Sequence, residues 1–455
     1  MNLHLTDTGT VFALLLAFYV FLHCALTIGE IRRTEKASFR VPTPFAKIVS
    51  LAEHRKAVDY NADVMQCDLF NALLGALIAV LCTFASGLNV LLAAIEEVWG
   101  QGLFAQLLLV ATVTALLALV DLPMCWWREF RINELYGYER TTPSKWMRNT
   151  LKSTLIGWIC EIPILSLFVV LLKVSSYQWW LAASLICTLW FCWLWLIRPV
   201  RIGFGSSARP MPEGPARTLI EQLLADQGLA GCEVFLASRP KNSIYGDGVF
   251  ARRKGVCRLV LYDFVPERLQ DPEQVLAIAA IVIGRHKLHL PVIRTVLSSV
   301  FMFCFWGLLA AAFTHPEFYE TLGVSARIGL RNGKPLAGLV ICMLIVAAPI
   351  LLYPLVFVIH FFTRSMDYLA DGWAVKRVGG KRLAGALIHL YRDWRITLEP
   401  GSLYSLANHR RPHITQRVRS ARIKGVRLQT KRFREKLEDP VVARLLAAKK
   451  EAAHG

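Results

Sequence analysis

Residues 273–290 read EQVLAIAAIVIGRHKLHL, and the chemistry of this helix decides how the rest of the chain is read. A helix that grips a catalytic zinc ion carries H-E-x-x-H, two imidazoles one turn apart with a glutamate between them as general base for the attacking water. Here the middle of the segment holds Ile281, Val282 and Arg285. Two apolar side chains offer no lone pair to a cation, and a guanidinium has only donors, so it repels one. His286 and His289 lie on the same segment. On a 3.6-residue turn His286 points about 100° away from Arg285, so it does not inherit that direction. The two histidines are the weaker alternative for a displaced metal and read first as interfacial, hydrogen-bonded or snorkelling groups.

Outward from this helix, the chain of 455 residues is 55% hydrophobic and only 19% charged, too apolar for an ordinary soluble enzyme. A bilayer-spanning helix needs roughly 20 apolar residues. Seven such runs fall near residues 10–29, 69–93, 103–126, 154–174, 179–198, 294–313 and 336–362. The first follows MNLHLTDTGT, which has no basic region or small-residue cleavage site, and precedes Glu30, Arg32 and Arg33; the expectation is a retained span rather than a signal peptide.

Charge predicts the orientation. Arg32, Arg33, Lys36, Arg40, Lys47, Arg55 and Lys56 follow the first run, and Arg128, Arg131, Arg140, Lys145, Arg148 and Lys152 follow the third, whereas the short links VWGQG and SSY carry no Lys or Arg. The positive-inside rule puts the basic loops, the segment between runs five and six and the tail in the cytoplasm, and the N-terminus outside or in a lumen, in a plasma (inner) or endoplasmic reticulum membrane. The net charge of +19 sits in these loops and the tail, which favours anionic lipid headgroups over nucleic acid. The eleven cysteines show no paired spacing, so neither a disulfide framework nor a cysteine zinc site is expected.

Four parts follow. Residues 1–198 carry runs one to five, and 199–293 form a cytoplasmic α+β unit that opens at RIGFGSSARPMPEG and ends with the 273–290 helix. Within it EGPARTLIEQLLADQGL is helical with Gly228 as a stop, while CEVFLAS, SIYGDGVFA and CRLVLYD are strands. Residues 294–362 hold runs six and seven. Residues 363–455 hold a cytoplasmic helix with Asp367 and Asp371 one turn apart, ended by Gly379 and Gly380, and then the basic tail KGVRLQTKRFREKLEDPVVARLLAAKK. That tail reads as a membrane-surface helix or a solvated one. His360 reads as a polar interhelical contact.

In this order RVPTPFAKIV, DLPMCWWREFRINELYGYERTT, PMPEG, RLVLYDFVPERL, EQVLAIAAIVIGRHKL, DYLADGWAVKRVGG and SLYSLANHRRPHITQRV resemble the type I CAAX prenyl proteases, seven-span zinc metallopeptidases that cut prenylated C-terminal peptides. The resemblance implies a mainly α membrane protein, seven transmembrane helices around an intramembrane chamber with a small α+β metallopeptidase-like domain. It also sets the family's H-E-x-x-H on Ile281, Val282 and Arg285, its third ligand on Asp367 with Asp371 behind it, and a later histidine on Arg411 before Pro412. Its substrate-edge strand falls on Ser243, Asp247, Val249 and Ala251, with Asp247 nearest the family's asparagine.

The functional expectation is therefore a homologue that does not cut, with no intact catalytic residue and no metal ligand set. It would bind or hold hydrophobic, lipidated or membrane-protein peptides, because strand addition needs no zinc. No cofactor is expected, with zinc as the alternative. An active membrane metalloendopeptidase and a structural regulator of another membrane protein are the alternative functions. Asp367 and Asp371 are either relics of a metal site or anchors of ion pairs, and Arg285 is the charge placed opposite Asp367.

Overall fold

The computed structural model describes residues 7–138, 142–174, 178–238, 247–331, 334–390 and 397–437. Ser243 and the tail beyond 437 lie outside them. The membrane part begins with α1 (Asp7–Ala37), α2 (Leu51–Cys82), α3 (Gly87–Trp99), α4 (Leu103–Trp127), α5 (Pro143–Val174) and α6 (Trp179–Cys192). A π-helical turn, Trp193–Ile197, joins α6 to α7 (Arg198–Gly203). The chain then forms β1 (Ala208–Pro210), α8 (Pro215–Asp226), β2 (Glu233–Ala237), β3 (Gly248–Arg253), β4 (Val256–Tyr262) and α9 (Pro272–Lys287). After it come α10 (Leu290–Phe313), α11 (Ala337–Leu351), α12 (Tyr353–Val378), α13 (Gly380–Leu390), α14 (Ser402–Asn408) and α15 (Ile414–Leu437).

Among the described residues five helices are long and apolar enough to cross a membrane, and the bent pair α11 and α12 makes a sixth. The expected run at 154–174 lies in α5, part of whose side chains fall outside the described residues. Two expected runs are not single straight helices. Residues 69–93 break between α2 and α3 because the chain doubles back there: a Cβ at Gly87 would stand 2.6 Å from the Leu81 carbonyl oxygen, an approach that glycine alone permits. The span in that region is α2, which starts at Leu51. Residues 336–362 bend by 64° between α11 and α12, where Pro354 lacks the N–H that would continue the ladder and its ring excludes the carbonyl four residues back.

The small sheet has strand order β1-β2-β4-β3, with β2 and β4 parallel and the outer pairs antiparallel. Its alternating side chains serve two cores. Val249, Val260 and Tyr262 pack with Trp195 and Ile202 on one face, and a Cβ at Gly203 would meet the Ala251 Cβ at 2.4 Å, which explains the glycine where α7 crosses β3. On the other face Leu259 and Leu261 join α9 in a core that also takes residues from α8, α12, α13 and α15. Alpha9 is capped by the Asp271 side chain, which accepts from the Glu273 N–H, and carries Pro272 at its first position. It runs so close to α12 that a Cβ at Gly284 would lie 3.0 Å from the Trp373 ring. His289, in the left-handed region at φ 52°, turns the chain into α10. A third core fills the membrane bundle.

Candidate functional site

Alpha9, α10, α12, β3 and the π turn enclose a cavity of about 290 Å³. The structure brings Val282, Arg285, His286 and His289 to its wall, together with Val249, Asp367 and Arg411. Ile281, Asp371, Asp247 and Ala251 are not on that wall and are fully buried. Ile281 belongs to the hydrophobic core behind the helix. Sequence reasoning did not single out Arg252, Arg294 or Trp195, which also line the cavity. Among the described residues Arg252, Arg285, Arg294 and Arg411 line the cavity together with the carboxylate of Asp367.

Arg285 Nη2 lies 3.7 Å from Asp367 Oδ1, with both side chains largely buried at 17% and 6% exposure. The expected partners thus meet across the two helices. Their separation exceeds the roughly 2.7–2.9 Å of a charge-assisted hydrogen bond, so the contact is an electrostatic one rather than a hydrogen bond. Burial opposes the Asp367 charge, and Arg285, Arg411, Arg417 and Arg294 all act to keep it ionised. Asp371 is held more tightly: Arg417 donates from Nε to Oδ2 at 2.9 Å and from Nη2 to Oδ1 at 2.7 Å, with the carboxylate wholly buried. This two-pronged clasp is the geometry in which a planar guanidinium is strongest. Nothing in the local sequence announced Arg417, since 46 residues separate it from Asp371.

One turn before Asp367, Arg364 donates to the Ser405 carbonyl at 2.6 Å and to Gln416, tying α12 to α14 and α15. His360 makes the expected interhelical contact, 2.7 Å from the Leu406 carbonyl. His286 stacks on Phe250 with ring centroids 3.9 Å apart. Burial first, then the positive neighbours His289, Lys287 and Arg252, lower its pKa to about 4, which leaves it neutral near pH 7. His413, after Arg411 and Pro412, is lowered to about 3 by burial, with His409 and Arg364 adding to the effect.

These residues do not fit a zinc ion. Val282 has no donor atom, the Arg285 guanidinium is a cation with no lone pair to offer, and His286 and His289 stand with ring centroids 6.5 Å apart. Among the described residues no three His, Cys, Asp or Glu side chains gather as a metal would need. The cavity can hold an anion or an extended chain against β3, which ends the sheet order. The register decides which β3 groups face outward. Tyr262 N–H donates to the Asp247 carbonyl, so by alternation the Val249 backbone faces β4, and Gly248 and Phe250 present theirs to the edge.

Polytopic bundle, bent span and small mixed sheet together define a membrane-embedded helical fold with a small α+β unit. Residues 30–203 match the family model for the CAAX prenyl protease N-terminal, five membrane helices. CAAX prenyl protease 1 of Saccharomyces cerevisiae is 23% identical over 322 residues, covering 67% of this chain and 69% of that protein. The Caenorhabditis elegans CAAX prenyl protease 1 homolog is also 23% identical, over 438 residues, covering 86% and 92%. The crystal structure of Ste24p from S. mikatae superposes with a TM-score of 0.71 at 17% identity, covering 91% of this chain and 99% of that one. The chain is a multi-pass integral membrane protein whose residues 30–203 match the CAAX prenyl protease N-terminal model and whose fold is shared with Ste24p.

Proposed function

We propose that this chain is a catalytically silent member of the CAAX prenyl protease family, a membrane chamber that binds or holds lipidated or membrane peptides without cutting them. One observation carries the reading: Arg285 and Asp367, each at a place where the resemblance sets a metal ligand, meet each other across α9 and α12. Val282, at the place of the general base, has no group that takes a proton. Peptide capture is supported by the position of β3 at the end of the sheet, with Val249 and Phe250 on the cavity wall. An added strand binds through backbone hydrogen bonds and needs no metal. On this reading residues 199–293 and the segment from 363 onward face the cytoplasm, where the basic tail attracts anionic headgroups.

Zinc content and cleavage test it together. Protein purified without chelators contains well under one zinc per chain, and prenylated peptides incubated with it stay intact. About one zinc per chain, or cleavage that a chelator stops and that survives removal of contaminating proteases, overturns the reading.

A further inference from the structure

Residues 199–293 contain two cysteines, Cys232 and Cys257, 25 positions apart, and the fold brings them side by side. Beta2 and β4 run parallel with Glu233 opposite Arg258, so the residues one place earlier, Cys232 and Cys257, face each other across the same two strands. Adjacent strands lie about 4.8 Å apart, inside the roughly 4.4–6.8 Å between Cα atoms that a disulfide needs. The two thiols share a hydrogen bond. On the opposite face Arg258 donates from Nε to Glu233 Oε2 at 2.7 Å, which fixes the register and with it the opposition of the sulfurs.

The pair is asymmetric. Cys232 is buried in the core that holds α9, whereas Cys257 packs against that core and is only partly buried. Burial first, and then the hydrogen bond to Cys257, push the Cys232 thiol up, which keeps it protonated near neutral pH. Cys257 is therefore the sulfur that an oxidant reaches first, and Cys232 is the thiol in contact with it. A cysteine that serves only as a small apolar filler needs no second thiol beside it.

We propose that Cys232 and Cys257 are a redox modification site, a dithiol that a peroxide converts reversibly into a disulfide tying β2 to β4. The Cys257 sulfur attacks one peroxide oxygen: an S–O bond forms, the O–O bond breaks, and the departing hydroxide leaves as water with the thiol proton. The Cys232 sulfur then attacks the sulfenic sulfur, so that an S–S bond forms, the S–O bond breaks and a second water carries away the Cys232 proton. Two electrons pass from the two thiols to one peroxide, and a thiol reductant reverses the change by exchange. The loop closed in this way includes β3, whose Val249 and Phe250 line the cavity, so oxidation braces one wall of the site without touching Arg285 or Asp367. The inference does not depend on whether the chain cuts peptides. On the proposed orientation the unit faces a reducing cytoplasm, where the pair rests as two thiols.

The test uses full-length protein in detergent, purified under reductant, freed of it and treated with hydrogen peroxide below the thermal transition. Remaining thiols are blocked with N-ethylmaleimide, and the protein is digested without reduction for mass spectrometry. The expected product is a linked peptide joining Cys232 to Cys257, lighter than its two parts by two hydrogen atoms and resolved by dithiothreitol. In Cys232→Ala the link is lost and Cys257 is expected to stop as a sulfenic acid that dimedone labels. Cys125→Ser, which removes an exposed thiol elsewhere, is expected to leave the link intact. The wild-type result stands whether or not the variants fold. Oxidation of Cys257 to sulfinic acid with no linked peptide overturns the proposal, as does a link from either cysteine to a different partner. It is equally overturned if both thiols stay free while other cysteines oxidise, or if the link forms only once the protein has unfolded.

Discussion

Two buried ion pairs on successive turns of α12 differ in geometry, and the difference is measurable. Asp371 and Arg417 share two short hydrogen bonds, so removing one partner strands a buried charge at a cost of about 3–5 kcal/mol. Arg417→Ala is expected to lower the thermal midpoint of the solubilised protein more than Arg285→Ala does, because the Arg285 contact to Asp367 is 3.7 Å long. A double-mutant cycle should give a larger coupling for Arg417 with Asp371 than for Arg285 with Asp367; equal couplings would contradict the geometry. His413 supplies a pH dependence. Its folded pKa is lowered to about 3 from 6.5, so the folded state prefers the neutral ring. Its contribution to stability is complete above about pH 6.5 and is lost as pH falls toward 3, since the unfolded chain takes up the proton first. The midpoint should drop between pH 7 and 4, and His413→Gln should flatten that drop; identical slopes in the two proteins would exclude His413 as the cause. Of these residues the sequence marked Arg285, Asp367 and Asp371 through their places in a motif. It could not mark Arg417 or Arg294, because a lone arginine carries no local signal of what it faces after folding.

Elements were more readable than their contacts. Helical spacing and turn residues predicted α8 with Gly228 just beyond it, the strands β2 and β4, and the break at Gly379, whose φ is 89°, because these depend on neighbours a few residues apart. The doubling back between α2 and α3 was not readable: an apolar run looks the same whether it continues or folds on itself, and only the close approach at Gly87 distinguishes the two. Gly380 has the same character, since a Cβ there would meet the Ala421 carbonyl oxygen of α15 at 2.3 Å. The strand edge supports a directed prediction. Phe250 presents its N–H outward and Val249 does not, so Phe250→Pro should abolish crosslinking of a prenylated photoreactive peptide. Val249→Pro instead breaks the pairing to β4 and should lower the thermal midpoint. Crosslinking indifferent to Phe250→Pro would exclude capture by strand addition.

At the scale of the molecule, the orientation proposed from Lys and Arg in the loops has a direct test. A tag at the N-terminus is expected to be protease-sensitive only from the non-cytoplasmic side of sealed vesicles and a tag at the C-terminus only from the cytoplasmic side; the reverse pattern would overturn the assignment. Hydropathy and colinear motifs determined without coordinates that this is a mainly helical multi-pass membrane protein resembling one family, since bilayer thickness acts on composition over short stretches of chain. The tertiary structure decided what no window of sequence contains: the 64° bend within the last span, the pairing of Asp371 with Arg417, and the convergence of arginines from β3, α9, α10 and the loop before α15 on one cavity. Those features arise from packing between segments up to about 160 positions apart, where the energy of a side chain depends on neighbours that only the fold supplies.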